Sequence, residues 1–247
     1  MKTIQTHFLR KSFFTGLTLA ALGLSACDND DVIRGRGDVV TQTRAVGPFS
    51  DVEIGGDFEV YLRQGPAEAI RLEGQENVLD VVTAKVEGQE LEIKFKPFAN
   101  VRKHKTIRVY ITNPTLTGLE LSGSSRAEGQ TPWTVDNLSL KVSGSGSLEL
   151  EMREANEVES RISGSGSMSL RGDAEDFENE ISGSGNVRAF DLVTRRADTK
   201  ISGSGNCELT VTQSLNARIS GSGDVRYKGD PTVNVSVSGS GKVTRVN

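Results

Sequence analysis

The side chains that usually perform chemistry are scarce in this sequence. The chain of 247 residues contains two histidines, His7 and His104, and has no His-Glu-x-x-His motif. Hydrolytic zinc sites need histidines at such fixed spacings, and many hydrolases carry their nucleophile in a Gly-x-Ser-x-Gly turn, which is also absent. His104 lies in the one basic loop, residues 97–105, where we interpret it as a surface residue. The sequence therefore predicts no catalytic residue, no metal site and no cofactor.

Charged residues on one strand face leave one enzyme alternative open, a polysaccharide lyase or glycosidase built on a β-helix. Glycosidases need two carboxyl groups roughly 5–10 Å apart. The predicted outward positions carry charges of both signs and include Glu149, Glu151, Arg171, Arg188, Glu208 and Arg226. If the repeats stack in register, Arg188 lies between Glu149 and Glu208, which is the pattern of a solvated sheet face. We therefore favour a protein that is not an enzyme.

Cys27 is the one residue with a predicted covalent role. It follows a basic start and an apolar stretch, residues 13–24, of the length found in signal peptides and too short to span a membrane as a helix. Residues 24–27, Leu-Ser-Ala-Cys, resemble the lipobox of bacterial lipoproteins, in which the cysteine is acylated and becomes the new N-terminus. We predict that residues 1–26 are a signal peptide, that Cys27 is the lipidation site and that a membrane is a partner.

The residues after Cys27 are polar and resemble two different sorting signals of bacterial lipoproteins. Residues 28–31, Asp-Asn-Asp-Asp, resemble the surface-export signal of lipoproteins from Bacteroidetes-like bacteria, whereas an aspartate after the cysteine resembles an inner-membrane retention signal in enteric bacteria. We interpret residues 27–43 as a flexible tether. The expected location is the cell envelope, with the outer membrane favoured and surface exposure possible.

The charge balance is acidic. The formal net charge is −4, and residues 1–26 contribute three positive charges and no negative ones, so the predicted mature chain is more acidic still. Nucleic acids and anionic membrane surfaces require a basic footprint. The composition therefore argues against both as ligands.

A four-residue phrase, Ser-Gly-Ser-Gly, organises the second half of the chain. Six copies begin 18 to 20 residues apart, and a decayed copy, residues 122–125, precedes them. A fixed period of this length indicates a repeat architecture. The repeat glycines are Gly144, Gly146, Gly164, Gly166, Gly183, Gly185, Gly203, Gly205, Gly221, Gly223, Gly239 and Gly241. They share the parity of the flanking apolar residues, so they point inward in an uninterrupted strand, or else they form a sharp corner.

Alternating apolar residues flank each copy, as Leu138 and Val142 precede the first one and Leu148 and Leu150 follow it. A period of two indicates a strand with one buried face, and stacked units would bury that face together. We predict an all-β fold, a parallel β-helix or β-solenoid with repeats of about 20 residues, over residues 116–247. An antiparallel meander with the repeats in hairpin loops is the competing interpretation. It fits less well because the second connection of each unit varies in length and composition.

Residues 44–115 form a less regular β half. Alternation persists there, and the segment around residues 76–86 reads either as a short helix or as a strand. This half is either the same solenoid with looser coils or a small β-sandwich cap.

Cys207 occupies an apolar slot of the repeat, where we predict a small buried side chain. Trp133 and Tyr227 are single aromatic residues, too few for a glycan-stacking platform.

Residues 49–54, Phe-Ser-Asp-Val-Glu-Ile, and residues 58–65, Phe-Glu-Val-Tyr-Leu-Arg-Gln-Gly, precede the serial Ile-Ser-Gly-Ser-Gly repeats. Over residues 44–247 this combination resembles the bacterial family named putative auto-transporter adhesin, head GIN domain. The resemblance implies a β-helical protein that is often lipid-anchored, and it brings no catalytic residues.

These observations together predict a lipid-anchored β-repeat protein of the cell envelope with a binding or adhesin-like role. A surface glycan or a protein is the expected partner. The alternatives are the carbohydrate-active enzyme and a passive envelope scaffold.

Overall fold

The computed structural model describes residues 32–247, and these residues form one unit with a continuous hydrophobic core. The predicted signal peptide and Cys27 lie outside the described residues. The N-terminal elements are β1 (Ile33–Arg34), β2 (Val39–Arg44), β3 (Asp51–Gly56), β4 (Phe58–Gln64), β5 (Ile70–Gln75), α1 (Glu76–Leu79), β6 (Val82–Glu87), β7 (Glu90–Phe95), β8 (Val101–Arg102) and β9 (Ile107–Asn113).

The repeat half contributes the remaining strands. They are β10 (Gly118–Gly123), β11 (Arg126–Gly129), β12 (Trp133–Thr134), β13 (Asn137–Gly144), β14 (Ser147–Gly164), β15 (Ser167–Gly183), β16 (Asn186–Gly203), β17 (Asn206–Gly221), β18 (Asp224–Lys228), β19 (Thr232–Gly239) and β20 (Lys242–Arg245).

The repeats stack as a parallel β-solenoid, as the sequence predicts, and not as an antiparallel meander. One ladder runs through β7, β3, β10 and β13, then through the second halves of β14 to β17, and ends at β19. A second ladder runs through β9, β4 and β11, then through the first halves of β14 to β17, to β18 and β20. Every pairing in both ladders is parallel, so each coil lies in register on the previous one.

In β14 to β16 the variable connection is not a loop. It is a bend within one long, continuous strand. Register shifts mark the bend, for example between Met152 and Ala155 in β14. Gly172 adopts φ +110° at the bend of β15, where an added Cβ would collide with the Met152 carbonyl of the neighbouring coil. The bend lets one strand contribute to both ladders.

The inward-facing apolar side chains form the core. Leu138, Leu140 and Val142 are buried, as are Leu148 and Leu150 on the other side of the corner. The last coil is different because no further coil covers it. Its predicted inward residues Val235 and Val237 are 46% and 40% exposed.

The N-terminal half belongs to the same solenoid, as one of the two predicted interpretations holds, and its closing strands join the solenoid sheet rather than form a separate β-sandwich. Residues 51–64 and 90–113 are coils of the same solenoid, and they stack in the order β9–β4–β11, so the coil formed later in the chain lies at the outer end. Antiparallel strands close that end, with β5 paired to β9 and β2, and β6 paired to β7. The segment around residues 76–86 contains both α1 and the start of β6. Val78 and Leu79 of α1 are fully buried, so the cap seals the core.

The predicted tether, residues 27–43, needs a correction where the structure describes it. Residues 39–43 belong to β2, which pairs with β5 from Val39↔Gln75 to Arg44↔Ile70. Alternation is weak in this polar segment, because β2 is an edge strand whose valines stay partly exposed. Its position is set by backbone hydrogen bonds to the cap and not by burial of one face.

Candidate functional site

The Ser-Gly-Ser-Gly phrase builds the corner between the two ladders. The first glycine of each copy ends a strand with a positive φ, +117° at Gly144 and +120° at Gly164, and an added Cβ on either would lie 2.6 Å from the carbonyl oxygen of the corresponding glycine one coil earlier. The second glycine, such as Gly146, is buried and points inward. The corner and the inward interpretation therefore each describe one glycine of the pair.

The serines of the phrase point to solvent and hold the corner to the previous coil. The backbone N–H of Ser165 donates to the carbonyl oxygen of Gly144 at 2.9 Å, and Ser184 repeats this bond to Gly164 at 2.8 Å. The exposed hydroxyls of Ser143, Ser163 and their counterparts form a column along the solenoid. Each serine lies over another serine, so the column contains no base that would activate a nucleophile.

The predicted outward charges form in-register columns. Glu149, Ser169, Arg188, Glu208 and Arg226 are successive partners, which places Arg188 between the two glutamates as expected. The ion pairs join neighbouring coils, with Arg226 2.7 Å from Glu208 in a half-exposed setting. Arg171 lies 2.9 Å from Glu149. Exposed pairs of this kind contribute about 0–1 kcal/mol each, so their main effect is to align neighbouring coils.

Cys207 is fully buried, as its slot in the repeat predicts. Burial raises the pKa of its thiol to about 12, and a hydrogen bond with Thr199 only partly opposes that rise. The thiol therefore stays protonated at neutral pH and is a poor nucleophile.

His104 departs from the prediction of a surface residue. Its side chain is only 10% exposed, and its Nε2 lies 3.2 Å from a carboxylate oxygen of Asp57. Its Nδ1 lies 2.9 Å from the carbonyl oxygen of Lys105, and Phe95 contacts the ring edge-on. The residue joins the outermost coil to the next one, which gives it a structural position.

Within residues 32–247, no group of three or more His, Cys, Asp or Glu side chains is arranged to hold a metal ion.

A groove at the N-terminal end of the solenoid offers the most varied set of side chains. Tyr61 of β4 and Tyr110 of β9 are direct cross-strand partners, and their rings stack with centroids 5.1 Å apart at 21°. Arg71 of the cap strand β5 lies over the Tyr110 ring, with its guanidinium carbon 3.5 Å from the centroid. The cap thus turns two outward tyrosines of the solenoid into one wall of a recess.

Hydrogen bonds fix the tyrosine wall. The Tyr110 hydroxyl donates to Glu73 at 3.0 Å, and the Tyr61 hydroxyl lies 3.4 Å from Glu59. Burial and then the bond to Glu73 raise the pKa of Tyr110, so its hydroxyl remains a proton donor rather than a base. Arg108 lies 3.1 Å from Glu59 and completes the support beneath the rings.

The groove encloses about 390 Å³, which falls within the ~300–1,000 Å³ usual for small-ligand sites. Its other walls are mainly polar. They consist of Thr43, Arg63, Glu68, Thr112 and Gln130, with Ala69 and Ile111 as the apolar residues. Arg63 is exposed and makes no ion pair among the described residues. The recess therefore combines aromatic surface, hydroxyl and amide groups, and an available guanidinium.

Sequence reasoning missed this groove because it weighed Trp133 and Tyr227 as aromatic residues and not the pair from the N-terminal half. Trp133 is fully buried in the core. A signal was present, since Phe58-Glu-Val-Tyr61-Leu and Ile107-Arg-Val-Tyr110-Ile share one pattern of apolar, charged, Val, Tyr and apolar residues. Equivalent positions in two adjacent coils place such tyrosines side by side.

Comparison with known protein families identifies the family of this chain. The family model described as putative auto-transporter adhesin, head GIN domain, matches residues 48–231. The chain belongs to this family. The membership confirms the predicted resemblance, and the match includes Tyr61, Tyr110 and the first five copies of the repeat phrase.

Solved structures of similar fold come from Bacteroides and Parabacteroides species. A putative adhesin from Bacteroides fragilis is 24% identical, with a TM-score of 0.82, and a putative lipid binding protein from Parabacteroides distasonis is 24% identical, with a TM-score of 0.74. In both comparisons 87% of this chain covers 100% of the other chain. A putative adhesin from Parabacteroides distasonis is 25% identical, with a TM-score of 0.73 and the same coverage. No curated protein matches the chain.

These likenesses confirm the solenoid fold of the head GIN domain in this chain. The adhesin names of the family and of two of these relatives indicate a protein of the cell envelope or cell surface. Among the described residues, no helix has the length and apolar character required to cross a membrane.

Proposed function

We propose that this head GIN protein is a lipid-anchored, non-catalytic binding protein of the bacterial cell envelope, and that the tyrosine groove is its binding site. The anchor would be an acylated Cys27, at the end of the lipobox-like residues 24–27. The stacked Tyr61–Tyr110 pair beside Arg63 is the observation that carries the binding proposal.

The chemistry of the groove favours a glycan that bears an acidic group. Aromatic side chains contribute large apolar surfaces to binding, and a Tyr hydroxyl adds a polar contact. Arg63 would pair with a carboxylate or sulfate through two parallel N–H bonds. The Gln130 amide and the hydroxyls of Thr43 and Thr112 supply the further hydrogen-bonding groups that sugar hydroxyls require.

The carbohydrate-active enzyme remains the second candidate. A lyase of this kind would need a deprotonated base beside the sugar, but the groove keeps Tyr110 protonated by burial and by its bond to Glu73. Both glutamates of the outward column, Glu149 and Glu208, are engaged in ion pairs between coils. Both features favour binding without turnover.

The test is an array of neutral and acidic glycans probed with the purified protein, followed by affinity measurements on any ligand found. We expect acidic glycans to bind. Arg63→Ala should weaken binding by about tenfold or more, since a hydrogen bond to a charged group contributes about 1.5–3 kcal/mol. Tyr61→Ala should weaken binding by about tenfold or more because it removes aromatic contact surface. Phe190→Ala is the matched control because Phe190 is also a surface aromatic residue beneath a cation, with Lys228 4.7 Å from its ring centroid.

Unchanged affinity in Tyr61→Ala would overturn the groove as the binding site. Cleavage of the bound glycan during prolonged incubation would instead establish the enzyme alternative.

A further inference from the structure

The loop between β7 and β8 carries an exposed aromatic side chain with no structural role. Phe98 is fully exposed, whereas the other phenylalanines of the described chain are buried or half-buried. Phe98 and Lys103 have φ of 63° and 53°, and they are the only non-glycine residues with positive φ in residues 32–247. A left-handed conformation costs an ordinary residue about 1–2 kcal/mol, and here no burial of the ring offsets it.

Basic residues are concentrated on this loop and its partner segment although the protein as a whole is acidic. Six exposed basic residues lie on the loop and on the chain that pairs with it: Arg34, Arg36, Lys96, Arg102, Lys103 and Lys105. Arg34 and Arg102 are direct partners in the β1–β8 pair. Like charges at directly opposite positions destabilise a sheet, so this arrangement favours an anion between them. The nearby carboxylate of Asp38 lies 3.9 Å from Lys105.

The first described residues enter the fold at this loop. Ile33 pairs with Val101, and its N–H donates to the carbonyl oxygen of Asn100 at 2.8 Å. Four residues separate Cys27 from Val32, so the two Cα atoms are at most roughly 18 Å apart when this segment is fully extended. If Cys27 is acylated, as the proposed function holds, the loop cannot lie far from the bilayer surface.

We infer that this loop is a membrane-docking surface, in which Phe98 inserts at the boundary between headgroups and acyl chains and the surrounding cations contact anionic lipid phosphates. An aromatic ring flanked by lysine and arginine is the composition of interfacial anchors, and each basic residue near an anionic surface contributes about 1 kcal/mol. This local footprint differs from the expectation drawn from net charge, which argued against an anionic membrane as a ligand. The three aspartates of residues 28–31 weaken the attraction, so insertion of Phe98 makes the larger contribution.

The inference rests on the proposed anchor for orientation, but its test does not need acylation. The test uses unacylated protein of residues 28–247, which contains the whole described unit. The solved relatives fold although their chains correspond to only 87% of this chain. This protein is floated with phosphatidylcholine vesicles, with and without phosphatidylglycerol, at low and high salt. We expect flotation with anionic vesicles that weakens as salt rises.

Two variants separate the two contributions. Phe98→Asn removes the ring but keeps a residue that tolerates positive φ, and it should reduce the vesicle partition coefficient about tenfold, as expected for losing one buried phenylalanine. Arg34→Glu/Arg102→Glu should abolish the preference for anionic vesicles. Arg153→Glu/Lys242→Glu makes the same charge change at exposed sites outside the loop and should partition like the wild type.

The inference is overturned if the wild type does not float with anionic vesicles, if Phe98→Asn floats as well as the wild type, or if the control variant loses as much binding as the loop variant. Thermal melts of all variants check that each remains folded. Glycan binding by the same proteins is measured in parallel, because a failure there concerns the tyrosine groove and not the loop.

Discussion

At the scale of single residues, the corner glycines decide whether coils can stack. The first glycine of each copy contributes both a positive φ and a carbonyl that accepts from the next coil, so neither a side chain nor a different backbone angle is tolerated. The serines between them are exposed and have fewer constraints. Composition and period alone predict that the glycines matter, but they do not predict that the two glycines of a pair have different roles.

We expect Gly203→Val to destabilise the solenoid strongly. Gly203 has φ +128°, and a Cβ there would collide with the Gly183 carbonyl of the preceding coil. Overpacking costs about 1–3 kcal/mol, and the backbone strain adds to it. The measurement is the thermal unfolding midpoint, with Ser204→Ala as the control at the exposed neighbour. Equal midpoints for Gly203→Val and the wild type would show that the corner is not tightly packed.

At the scale of elements, the sequence predicts the ladders well because a repeat sets strands of equal length in register. It predicts the N-terminal cap poorly for two reasons. The strand β5 pairs antiparallel with β9, and β6 pairs antiparallel with β7. In addition, β7 and β9 stack outside β3 and β4, which precede them in the chain. Nothing in a period of two distinguishes a strand that joins the stack from one that closes it. The tyrosine groove depends on the same non-sequential stacking, and for that reason the candidate site could not be assembled from the sequence.

One inward column carries polar residues that the pattern places in the core. Leu140, Ser160, Asn179, Thr199 and Ala217 are successive partners. The Ser160 hydroxyl donates to Oδ1 of Asn179 at 2.9 Å, and Nδ2 of Asn179 donates to Oγ1 of Thr199 at 2.7 Å. Buried polar groups of this kind are tolerated because each satisfies the next.

We therefore expect the column to respond as a unit. Asn179→Ala should cost about 2–4 kcal/mol of unfolding free energy, since it leaves the partner hydroxyls unsatisfied and opens a cavity. The triple variant Ser160→Ala/Asn179→Leu/Thr199→Val should recover most of that loss, because apolar residues already occupy the column at Leu140 and Ala217. Denaturant unfolding of the wild type, the single variant and the triple variant measures this, and a triple variant less stable than Asn179→Ala would contradict the argument.

At the scale of the whole molecule, the two ends of the solenoid differ in kind. The N-terminal end is closed by the cap and carries the basic loop with Phe98, whereas the C-terminal end exposes Val235 and Val237 of the last coil. The chain enters at the capped end, through the pairing of β1 with β8. An anchor at Cys27 would therefore place the capped end against the membrane and direct the repeat coils away from it.

The change Cys27→Ser tests that arrangement. We expect the wild-type protein to pellet with membranes and to resist release by a high-salt wash, because acyl chains hold by hydrophobic burial that salt does not screen. The Cys27→Ser protein should lose this resistance, and any residual attachment should be the salt-sensitive kind provided by the basic loop. Cys207→Val is the matched control, since it removes the other cysteine, which is fully buried and whose neighbours in the ladder, Val187 and Val225, are valines. A Cys27→Ser protein that stays with salt-washed membranes as firmly as the wild type would contradict this prediction. The chain would then be held by something other than a lipid on Cys27. The orientation of the solenoid would have to be derived from the basic loop alone.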